Sequence, residues 1–353
     1  MLKGWLSWSE VRLLVKRAVV LFNLGGPDGP EAVQPFLFNL FNDPAIISLP
    51  NPLRWLIAKL ISKRRAPIAQ KIYAEIGGKS PLLELTRDQA DALENNLEDG
   101  SKVFIAMRYW HPMSPSTALA VKNFDPDEII LLPLYPQFSI STTGSSLQDW
   151  HRSAKKIDLV KPTKSICCYP TEQNLIKAQV DLLNQEIAKS EKITRVLFSA
   201  HGLPKKIIEK GDPYQEQIEQ MAKTIAETAG LSSDQWRVCY QSRVGPLEWL
   251  SPSLEDELNA AAEDKIGVTI LPIAFVSEHS ETLVELDIEY REIADKLDLP
   301  SYNRVPAVGT HPDFISGLTG LVNQASASDA DLISVEGGRI CSPDRTCCVN
   351  LGN

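Results

Sequence analysis

The chain has 353 residues, of which 43% are hydrophobic and 23% charged, so it can bury one large core or two of ordinary size. Its formal net charge of -9 argues against a nucleic-acid binder, which needs a basic surface to replace the counterions around phosphates. Six cysteines without the framework of a small secreted domain, and no recognisable signal peptide, indicate a cytoplasmic protein. The longest apolar runs fall far short of the roughly 20 residues that a membrane-spanning helix needs.

Two segments in the first part of the chain mix apolar and basic residues. Residues 1–17 form one, which we treat as an amphipathic extension, and residues 51–65 form the other. Both patterns suit a helix that lies in a membrane interface, and both also suit a helix packed on the protein. Peripheral contact with the cytoplasmic face of a membrane therefore stays open.

Apolar runs typical of strands alternate with longer helical patterns, which indicates parallel sheets covered on both faces. The predicted strands are 18–24, 103–107 and 128–134 in a first unit, and 196–200, 238–242 and 267–274 in a second. The predicted helices are 82–97, 171–189, 214–229 and 281–297.

The two units resemble each other, which suggests an ancient duplication. Residues 20–27 parallel 196–204, and residues 130–135 parallel 269–275. The predicted fold class is therefore α/β, with two similar Rossmann-like doubly wound lobes, parallel sheets and a cleft between the lobes. We expect the extension at 1–17, the lobes at 18–170 and 171–323, and a cysteine-containing tail at 324–353 that opens with a polar linker over 324–330.

His201 follows a predicted strand and is itself followed by Gly202. In open α/β sheets, ligands bind beyond the carboxyl ends of the strands, so this imidazole is expected at the mouth of a crevice. There it could accept a proton near neutral pH or bind a divalent metal. The alternative is a histidine that only caps the next helix.

Glutamates recur beside His279 at intervals of three, four and four, at Glu278, Glu281, Glu285 and Glu289. On a helix this spacing places carboxylates on one face, roughly 5 to 6 Å apart. A solvated outer face is the usual explanation of such a row. Because this row begins where a strand ends, we predict instead a path for protons or hydrated metal.

The glycine-rich segment 23–30 does not indicate a nucleotide site. It lacks the G-x-G-x-x-G order, and Pro27 and Pro30 interrupt the helix that would bind a pyrophosphate. Neither a P-loop nor a G-x-S-x-G elbow is present. The segment 142–146 suits either an anion-binding turn or a plain helix cap.

An ordered set of short motifs closely resembles the ferrochelatase family, whose members place ferrous iron into a porphyrin. The resemblance covers residues 19–312. It rests on the segments 23–27, 63–67, 76–81, 108–112, 135–139, 141–146, 199–201, 211–214, 241–246 and 275–283. One such match would mean little, whereas the ordered set is specific.

The resemblance implies roles for the matching residues. His201 and Glu281 would form the iron-binding and catalytic pair, with His201 also accepting the pyrrole protons. Glu278, His279 and Glu285 would form an acidic path beside them. The residues that would line or flank the porphyrin are Leu24, Arg65, Tyr109, Tyr135 and Trp249, with an apolar lip at 53–61.

The implied activity is that of a lyase, which inserts ferrous iron into protoporphyrin IX in the last step of haem biosynthesis. A metal enters the ring only when the ring bends and its two N–H protons leave, so apolar walls and a base on one face suit the reaction. Iron is a substrate here, and insertion requires no cofactor. The segment 108–112 resembles the protoporphyrin-using branch. The alternatives are a coproporphyrin III ferrochelatase, a cobalt or nickel chelatase of the same fold, and a two-lobed protein that only binds metal or haem.

The tail resembles the extension that carries a 2Fe-2S cluster in some ferrochelatases, through Cys341, Cys347 and Cys348. Such a cluster needs four thiolates. Ile140 stands where animal-type members have the fourth cysteine, so Cys167 or Cys168 would have to supply it. The alternatives are reduced thiols without a metal, or a disordered tail.

Overall fold

The computed structural model describes residues 15–190, 192–243 and 247–350. The amino-terminal extension expected at 1–17 lies outside these residues except for 15–17, so its membrane contact stays a prediction. No helix in the described ranges is both long enough and apolar enough to cross a membrane.

Within the described ranges, nine strands form two sheets in which every neighbouring pair is parallel. The strands are β1 (Arg17–Asn23), β2 (Ser101–Met107), β3 (Glu128–Pro133), β4 (Thr163–Ile166), β5 (Thr194–His201), β6 (Trp236–Gln241), β7 (Gly267–Pro272), β8 (Tyr302–Arg304) and β9 (Leu332–Ile333). The α-helices are α1 (Val33–Phe41), α2 (Leu53–Ala74), α3 (Leu82–Asn96), α4 (Ser114–Phe124), α5 (Ser145–Lys156), α6 (Gln173–Ala188), α7 (Lys205–Glu209), α8 (Tyr214–Thr228), α9 (Leu254–Glu263), α10 (Tyr290–Lys296) and α11 (Pro312–Ala327). A 3-10 turn spans Pro30–Ala32, and π-helices span Ile140–Gly144 and Glu281–Glu289.

The two sheets share one strand arrangement. The first has the order β2-β1-β3-β4-β9 and the second β6-β5-β7-β8. Corresponding strands also share their register, since Phe22 lies opposite Pro133 in one sheet and Ser199 lies opposite Pro272 in the other. The predicted α/β class with two similar parallel sheets is confirmed, and the common order is what a duplication would produce.

Alternation along the strands explains the layers of the molecule. On β1, Val19 and Leu21 belong to a continuous core that also contains residues of α3, α6, α8, α11 and the second sheet. Val20 and Phe22 point the other way, into a core closed by α4 and α5. A matching outer core covers the far face of the second sheet, under α9 and α10. Helices thus cover both faces of each sheet, as the apolar strands require.

The carboxyl-terminal elements return to the first sheet, where α11 packs against α3 and α6, and β9 pairs with β4. The expected linker over 324–330 is wrong in its first part. Helix α11 continues to Ala327, because Leu321, Val322 and Ala325 keep a buried face at helical spacing. The division into lobes at 18–170 and 171–323 stays a prediction.

Candidate functional site

His201 is the last residue of β5, at the carboxyl end of a strand inside the second sheet. Its main-chain oxygen accepts a hydrogen bond from the hydroxyl of Tyr214 at 3.1 Å. The next residue must be small, because a Cβ on Gly202 would lie 2.9 Å from the main-chain oxygen of Gln241. The imidazole is therefore presented at the sheet edge, where 38% of its side chain is exposed.

The structure brings His201 and Glu281 together, although 80 positions separate them in sequence. His201 Nδ1 lies 2.9 Å from Glu281 Oε2. His279 Nε2 lies 3.9 Å from the same oxygen. The contact forms because β5 and β7 are neighbours, so that the segments leaving their carboxyl ends meet at one edge. Two imidazoles thus flank one carboxylate.

These contacts determine which groups carry charge. Burial disfavours a charged imidazole, but the charge and hydrogen bond of Glu281, together with Glu285, raise the pKa of His201. Burial also disfavours an ionised Glu281, yet His201 and His279 hold the pKa of that carboxyl well below its usual range. At His279 burial dominates and lowers the pKa. The site therefore places an imidazole that is more basic than usual beside an ionised carboxylate and a less basic second imidazole.

Glu285 is the second carboxylate of the site. It accepts hydrogen bonds from the main-chain N–H of Ser242 (2.8 Å), from the Ser242 hydroxyl and from Gln241 Nε2 (3.2 Å). The same Gln241 amide donates to the main-chain oxygen of Glu281 at 3.2 Å. Burial, followed by the charge of Glu281, raises the pKa of Glu285 to about 7. Glu285 therefore gains and loses a proton near neutral pH.

Both glutamates lie on the π-helix Glu281–Glu289, so the single helix predicted over 281–297 is corrected. The main-chain N–H of Tyr290 donates to the oxygen of Glu285, and a regular α-helix resumes in α10. π-Helices are rare and frequently mark functional sites. The backbone is thus a second sign, independent of the side chains, that this segment has a function.

Glu278, which we expected in the same acidic row, has a different partner. Its Oε1 accepts hydrogen bonds from Arg304 Nη1 (2.6 Å) and from the main-chain N–H of Ala307 (2.9 Å). Glu289, at the other end of the predicted row, is exposed. Glu278 is thus paired with Arg304 through one oxygen, and its assignment to the path stays a prediction.

Trp249, which the resemblance assigns to the porphyrin surface, lies against Gly202, the residue after His201. A Cβ on Gly202 would be 3.4 Å from Trp249 Cε3, and the buried indole N–H has no hydrogen-bond partner among the described residues. Leu24 follows β1 and is partly exposed. Arg65, on α2, lies over the ring of Phe41 at 5.7 Å from its centroid.

The two tyrosines predicted for this surface differ in exposure. Tyr135 follows β3 and is partly exposed, although its hydroxyl is buried. Tyr109 is fully buried, with its hydroxyl donating to Asp43 at 2.8 Å, so it does not line an exposed surface. Asp43 also accepts from Arg108 Nη2 (2.7 Å) and from the hydroxyl of Ser145.

Sequence reasoning missed several of these residues. Gln241 and Ser242 stand at the carboxyl end of β6, so the rule that located His201 also applies to them. Asp43 precedes a proline in a segment that looks only like a turn, and no motif marks it. Arg304 lies on a strand that the apolar pattern did not reveal.

His201 and Glu281 form an open site. Among the described residues, no three His, Cys, Asp or Glu side chains are grouped in a way that would hold a single metal ion. The pair supplies one nitrogen and one carboxylate, and both side chains are partly exposed. Such a pair can receive an ion and pass it on, whereas a complete set of ligands would retain it.

A group of thiols lies at a second place, where the segment after β4 meets the tail. The Sγ atoms of Cys167 and Cys168 are 3.4 Å apart. Hydrogen bonds from the thiols of Cys168 and Cys348, and from Gln217 Nε2 at 3.0 Å, lower the pKa of Cys341 to about 3. Four cysteines of the kind that an iron–sulfur cluster requires are thus neighbours, and the donor set fits such a cluster.

Cys347 does not belong to this group. Its thiol donates to the main-chain oxygen of Lys210 at 3.3 Å, and its own N–H donates to the oxygen of Gly211. Cys347 and Cys348 adjoin within a turn, so their side chains point in different directions. The group of neighbouring thiols thus contains two cysteines of the tail together with both Cys167 and Cys168, and a cluster on them stays a prediction.

Comparison with known proteins agrees with this arrangement. A model of the ferrochelatase family matches residues 16–326. The chain belongs to the ferrochelatase family. It is 53% identical over 313 residues to the ferrochelatase of Pelagibacter ubique, which covers 87% of this chain and 91% of the relative. It is 50% identical over 335 residues to the ferrochelatase of Rickettsia bellii, which covers 93% of each. The protein is therefore a metal chelatase, a lyase that inserts metal into porphyrin.

The fold is also that of solved chelatases. SirB from Bacillus subtilis with Fe3+ matches 89% of this chain and 96% of its own chain, with a TM-score of 0.51 and 14% identity. At that identity the likeness concerns the fold alone. It confirms the predicted architecture of two lobes of the chelatase type.

Proposed function

We propose that this chain inserts ferrous iron into protoporphyrin IX, with His201 and Glu281 as the catalytic pair. The observation that supports this most strongly is the contact of 2.9 Å between His201 Nδ1 and Glu281 Oε2 at the edge of the second sheet. A base and an anion side by side meet the two needs of the reaction, which are the removal of pyrrole protons and the binding of a cation.

His201 is the proposed acceptor of the pyrrole protons. Glu281 holds Nδ1, whereas Nε2 has no hydrogen-bond partner in the described part of the chain. A carboxylate on Nδ1–H fixes the tautomer in which Nε2 is basic, and it stabilises the imidazolium that forms. Proton acceptance at Nε2, the ring nitrogen that Glu281 leaves free, is therefore supported.

Glu285 is the proposed next acceptor. Its pKa of about 7 means that it can take up a proton and release it again near neutral pH. Gln241 connects it to the catalytic pair by donating both to Glu285 and to the main chain of Glu281. His279, which is neutral because of its burial, flanks the carboxylate of Glu281. The negative charge of Glu281 therefore remains available to the incoming ion.

Ferrous iron, the second substrate, suits the ligands of this open pair, since imidazole nitrogen and carboxylate oxygen both bind it. The apolar surfaces of Trp249 and Leu24 are the proposed walls against which the macrocycle bends. Binding energy gained along those walls favours the bent ring, in which a nitrogen lone pair is exposed to the metal.

Initial rates of anaerobic ferrous insertion test the assignment. His201→Ala should abolish insertion, and Glu281→Gln should lower the rate by about 100-fold or more, since a positioned base contributes factors of this size. Circular dichroism should show an intact fold in both. His151→Ala, which removes a histidine on α5, is the control and should keep the wild-type rate. Near-normal rates in both site variants would remove the proposed roles.

The preference for protoporphyrin is supported by the segment 108–112, which resembles the protoporphyrin-using branch. Initial rates with protoporphyrin IX and coproporphyrin III under the same conditions separate the two substrates. A higher kcat/KM with coproporphyrin III would assign the chain to the other branch.

Helix α2 is the proposed contact with a membrane. Ala58, Ser62 and Ala66 form its buried face, which packs on α1. The opposite side exposes Leu53, Trp55, Leu56 and Leu60 beside Lys59, Lys63 and Arg64. Apolar residues flanked by basic ones bind the surface of anionic bilayers. We therefore place the enzyme in the cytoplasm, on the inner face of the membrane.

Sedimentation with phosphatidylglycerol vesicles tests this contact. The double variant Leu56→Glu and Leu60→Glu should stay in the supernatant, because two buried charges in the interface oppose binding. Leu119→Glu alters a leucine on α4 with comparable exposure and should sediment like the wild type. Equal sedimentation of the double variant would reject α2 as the contact.

Cys167, Cys168, Cys341 and Cys348 are the proposed ligands of a 2Fe-2S cluster. When bound, such a cluster supplies a one-electron redox couple, which metal insertion itself does not use. Iron and sulfide analysis of protein purified without oxygen should give about two of each per chain. Cys341→Ser should lose both, and Cys347→Ser should retain them. Retention in Cys341→Ser, or loss in Cys347→Ser, would contradict the assignment.

A further inference from the structure

We propose that Arg304 is a positioning residue for metal insertion, because its guanidinium holds the chain on both sides of Glu281 and Glu285 and so fixes how the π-helix presents them to His201. This inference rests on the proposed function of His201 and Glu281. It adds a residue that touches neither substrate.

Arg304 makes three short hydrogen bonds to two carboxylates. Nε and Nη2 donate to the two oxygens of Asp287, at 2.8 and 2.6 Å. Nη1 donates to Glu278 Oε1 at 2.6 Å. Only 11% of the Arg304 side chain is exposed, so the ion pairs are weakly screened by solvent. Two guanidinium N–H groups that bind the two oxygens of one carboxylate form a fork. This fork fixes the direction of the contact as well as its distance, which an ammonium group cannot do.

The two carboxylates that Arg304 holds enclose the active segment. Glu278 precedes the π-helix, Asp287 lies within it, and both proposed acid-base glutamates stand between them. Asp287 follows Glu285 by two positions, and residues two apart on a helix face different sides. Holding Asp287 against β8 therefore turns Glu285 toward Ser242 on the β6 side.

The sheet makes Arg304 a rigid anchor. It is the last residue of β8 and lies opposite Ile270 of β7, so its backbone is fixed by the ladder. Tyr302, on the same strand, donates its hydroxyl to the main-chain oxygen of Leu286 at 2.6 Å. Strand β8 thus binds the π-helix at two consecutive residues, Leu286 and Asp287. A wide helix needs such outside support, since its rarity shows that it is not the favoured backbone form.

Loss of the hydrogen bonds from Arg304 to Glu278 and Asp287 should impair the chemical step and leave porphyrin binding intact. Small displacements of a catalytic group can cost about 100-fold in rate, so we expect kcat to fall about 10- to 100-fold in Arg304→Met and in Asp287→Asn. The Kd of protoporphyrin, measured by fluorescence quenching, should stay within about twofold, because Trp249 and Leu24 are unaltered.

Arg195→Met is the matched control. Arg195 lies on β5, has the same side-chain exposure of 11%, and pairs with Asp264 at 2.7 Å on the outer side of the second sheet. It should keep kcat within about twofold. Arg304→Lys retains the charge without the fork, so it should recover thermal stability while kcat stays low. A role in stability alone would predict that kcat recovers as well.

A double-mutant cycle with Glu281→Gln completes the test. If Arg304 acts through the glutamates, Arg304→Met should cost much less in the Glu281→Gln background than in the wild type. The inference would be overturned if Arg304→Met kept kcat as Arg195→Met does. It would also be overturned if the loss of kcat in the double variant equalled the product of the losses in the two single variants. Either result would leave the proposed function standing. A wild-type rate in Glu281→Gln itself would overturn the proposed function and this inference with it. Should Arg304→Met not fold, Arg304→Lys and Asp287→Asn decide on the same criteria.

Discussion

Glu285→Gln tests the electrostatics of the site through stability. Burial and the charge of Glu281 raise the pKa of Glu285 from 4.5 to about 7. The folded protein therefore retains this proton over a pH range in which the unfolded chain has released it. Its contribution to stability is present in full below pH 4.5 and is lost as the pH rises through 7. The difference between these two pKa values corresponds to about 3 kcal/mol in total.

The change in stability that Glu285 causes can be measured near neutral pH. Between pH 6 and pH 8 the free energy of unfolding of the wild type should fall by about 1 to 1.5 kcal/mol because of Glu285. Between the unfolded and the folded pKa, each rise of one pH unit lowers this free energy by about 1.4 kcal/mol. Glutamine carries no charge at either pH. Its one oxygen cannot replace both carboxylate oxygens toward Ser242, a loss of about 1 kcal/mol that does not change with pH.

Urea unfolding at pH 6 and pH 8 measures this effect. The free energy of unfolding of Glu285→Gln, relative to the wild type, should rise by about 1 to 1.5 kcal/mol between the two pH values. Glu289→Gln removes an exposed glutamate of the same helix and should show no such change. A difference between Glu285→Gln and wild type that is the same at both pH values would refute the reasoning.

Three further predictions concern the support of the site. Gln89→Ala removes two buried hydrogen bonds and one partly buried hydrogen bond between α3 and the segments around the second sheet, so the free energy of unfolding should fall by about 3 kcal/mol, as measured with urea; a loss below about 1 kcal/mol would contradict this. Asp43→Ala removes the carboxylate that accepts hydrogen bonds from Arg108, Tyr109 and Ser145, while the partly buried Arg108 still has Asp149 at 4.0 Å; it should cost about 3 kcal/mol in the same assay, which a neutral result would disprove. Glu281→Gln removes the charge that raises the pKa of His201, so the imidazole should titrate at a lower pH by NMR, and an unchanged midpoint would count against the pair.

Much of the fold could be predicted because it depends on local patterns. The apolar runs of β1, β3, β5 and β7 are central strands covered on both faces, and such strands stand out in a sequence. The strands that were missed, β4, β8 and β9, are short and lie at or near the edges of the sheets. Their pairing depends on partners distant in sequence, which no local pattern records.

In the site, too, features that follow from local sequence patterns could be predicted, and features that depend on distant contacts could not. His201 could be located because strand ends are predictable positions for ligand-binding residues. The spacing of Glu278, Glu281 and Glu285 fits a single face of a helix, but it does not reveal that Glu278 pairs with Arg304 of β8. The π-helix was missed for a related reason, since the bonds that hold it come from another strand. Tertiary contacts, and not propensity, decide these features.

The cysteines show how far adjacency in sequence can mislead. Cys347 and Cys348 look equivalent, yet only Cys348 joins the thiol group, because the turn that carries them directs Cys347 toward Lys210. Cys167 and Cys168 looked like alternatives and instead both belong to the group. The position of the tail against α8, through Gln217, was decided by contacts that the sequence does not display.

The central claim is that an imidazole and a carboxylate on one side of the macrocycle take its protons and offer the metal. A crystal structure of the chain with metal-free protoporphyrin tests this most directly. We predict pyrrole nitrogens within hydrogen-bond reach of His201 Nε2, about 2.6 to 3.2 Å or through one water molecule, with Glu281 on the same side of the ring. A ring bound at the outer face of α2, or with His201 and Glu281 out of reach of all four nitrogens, would contradict the account.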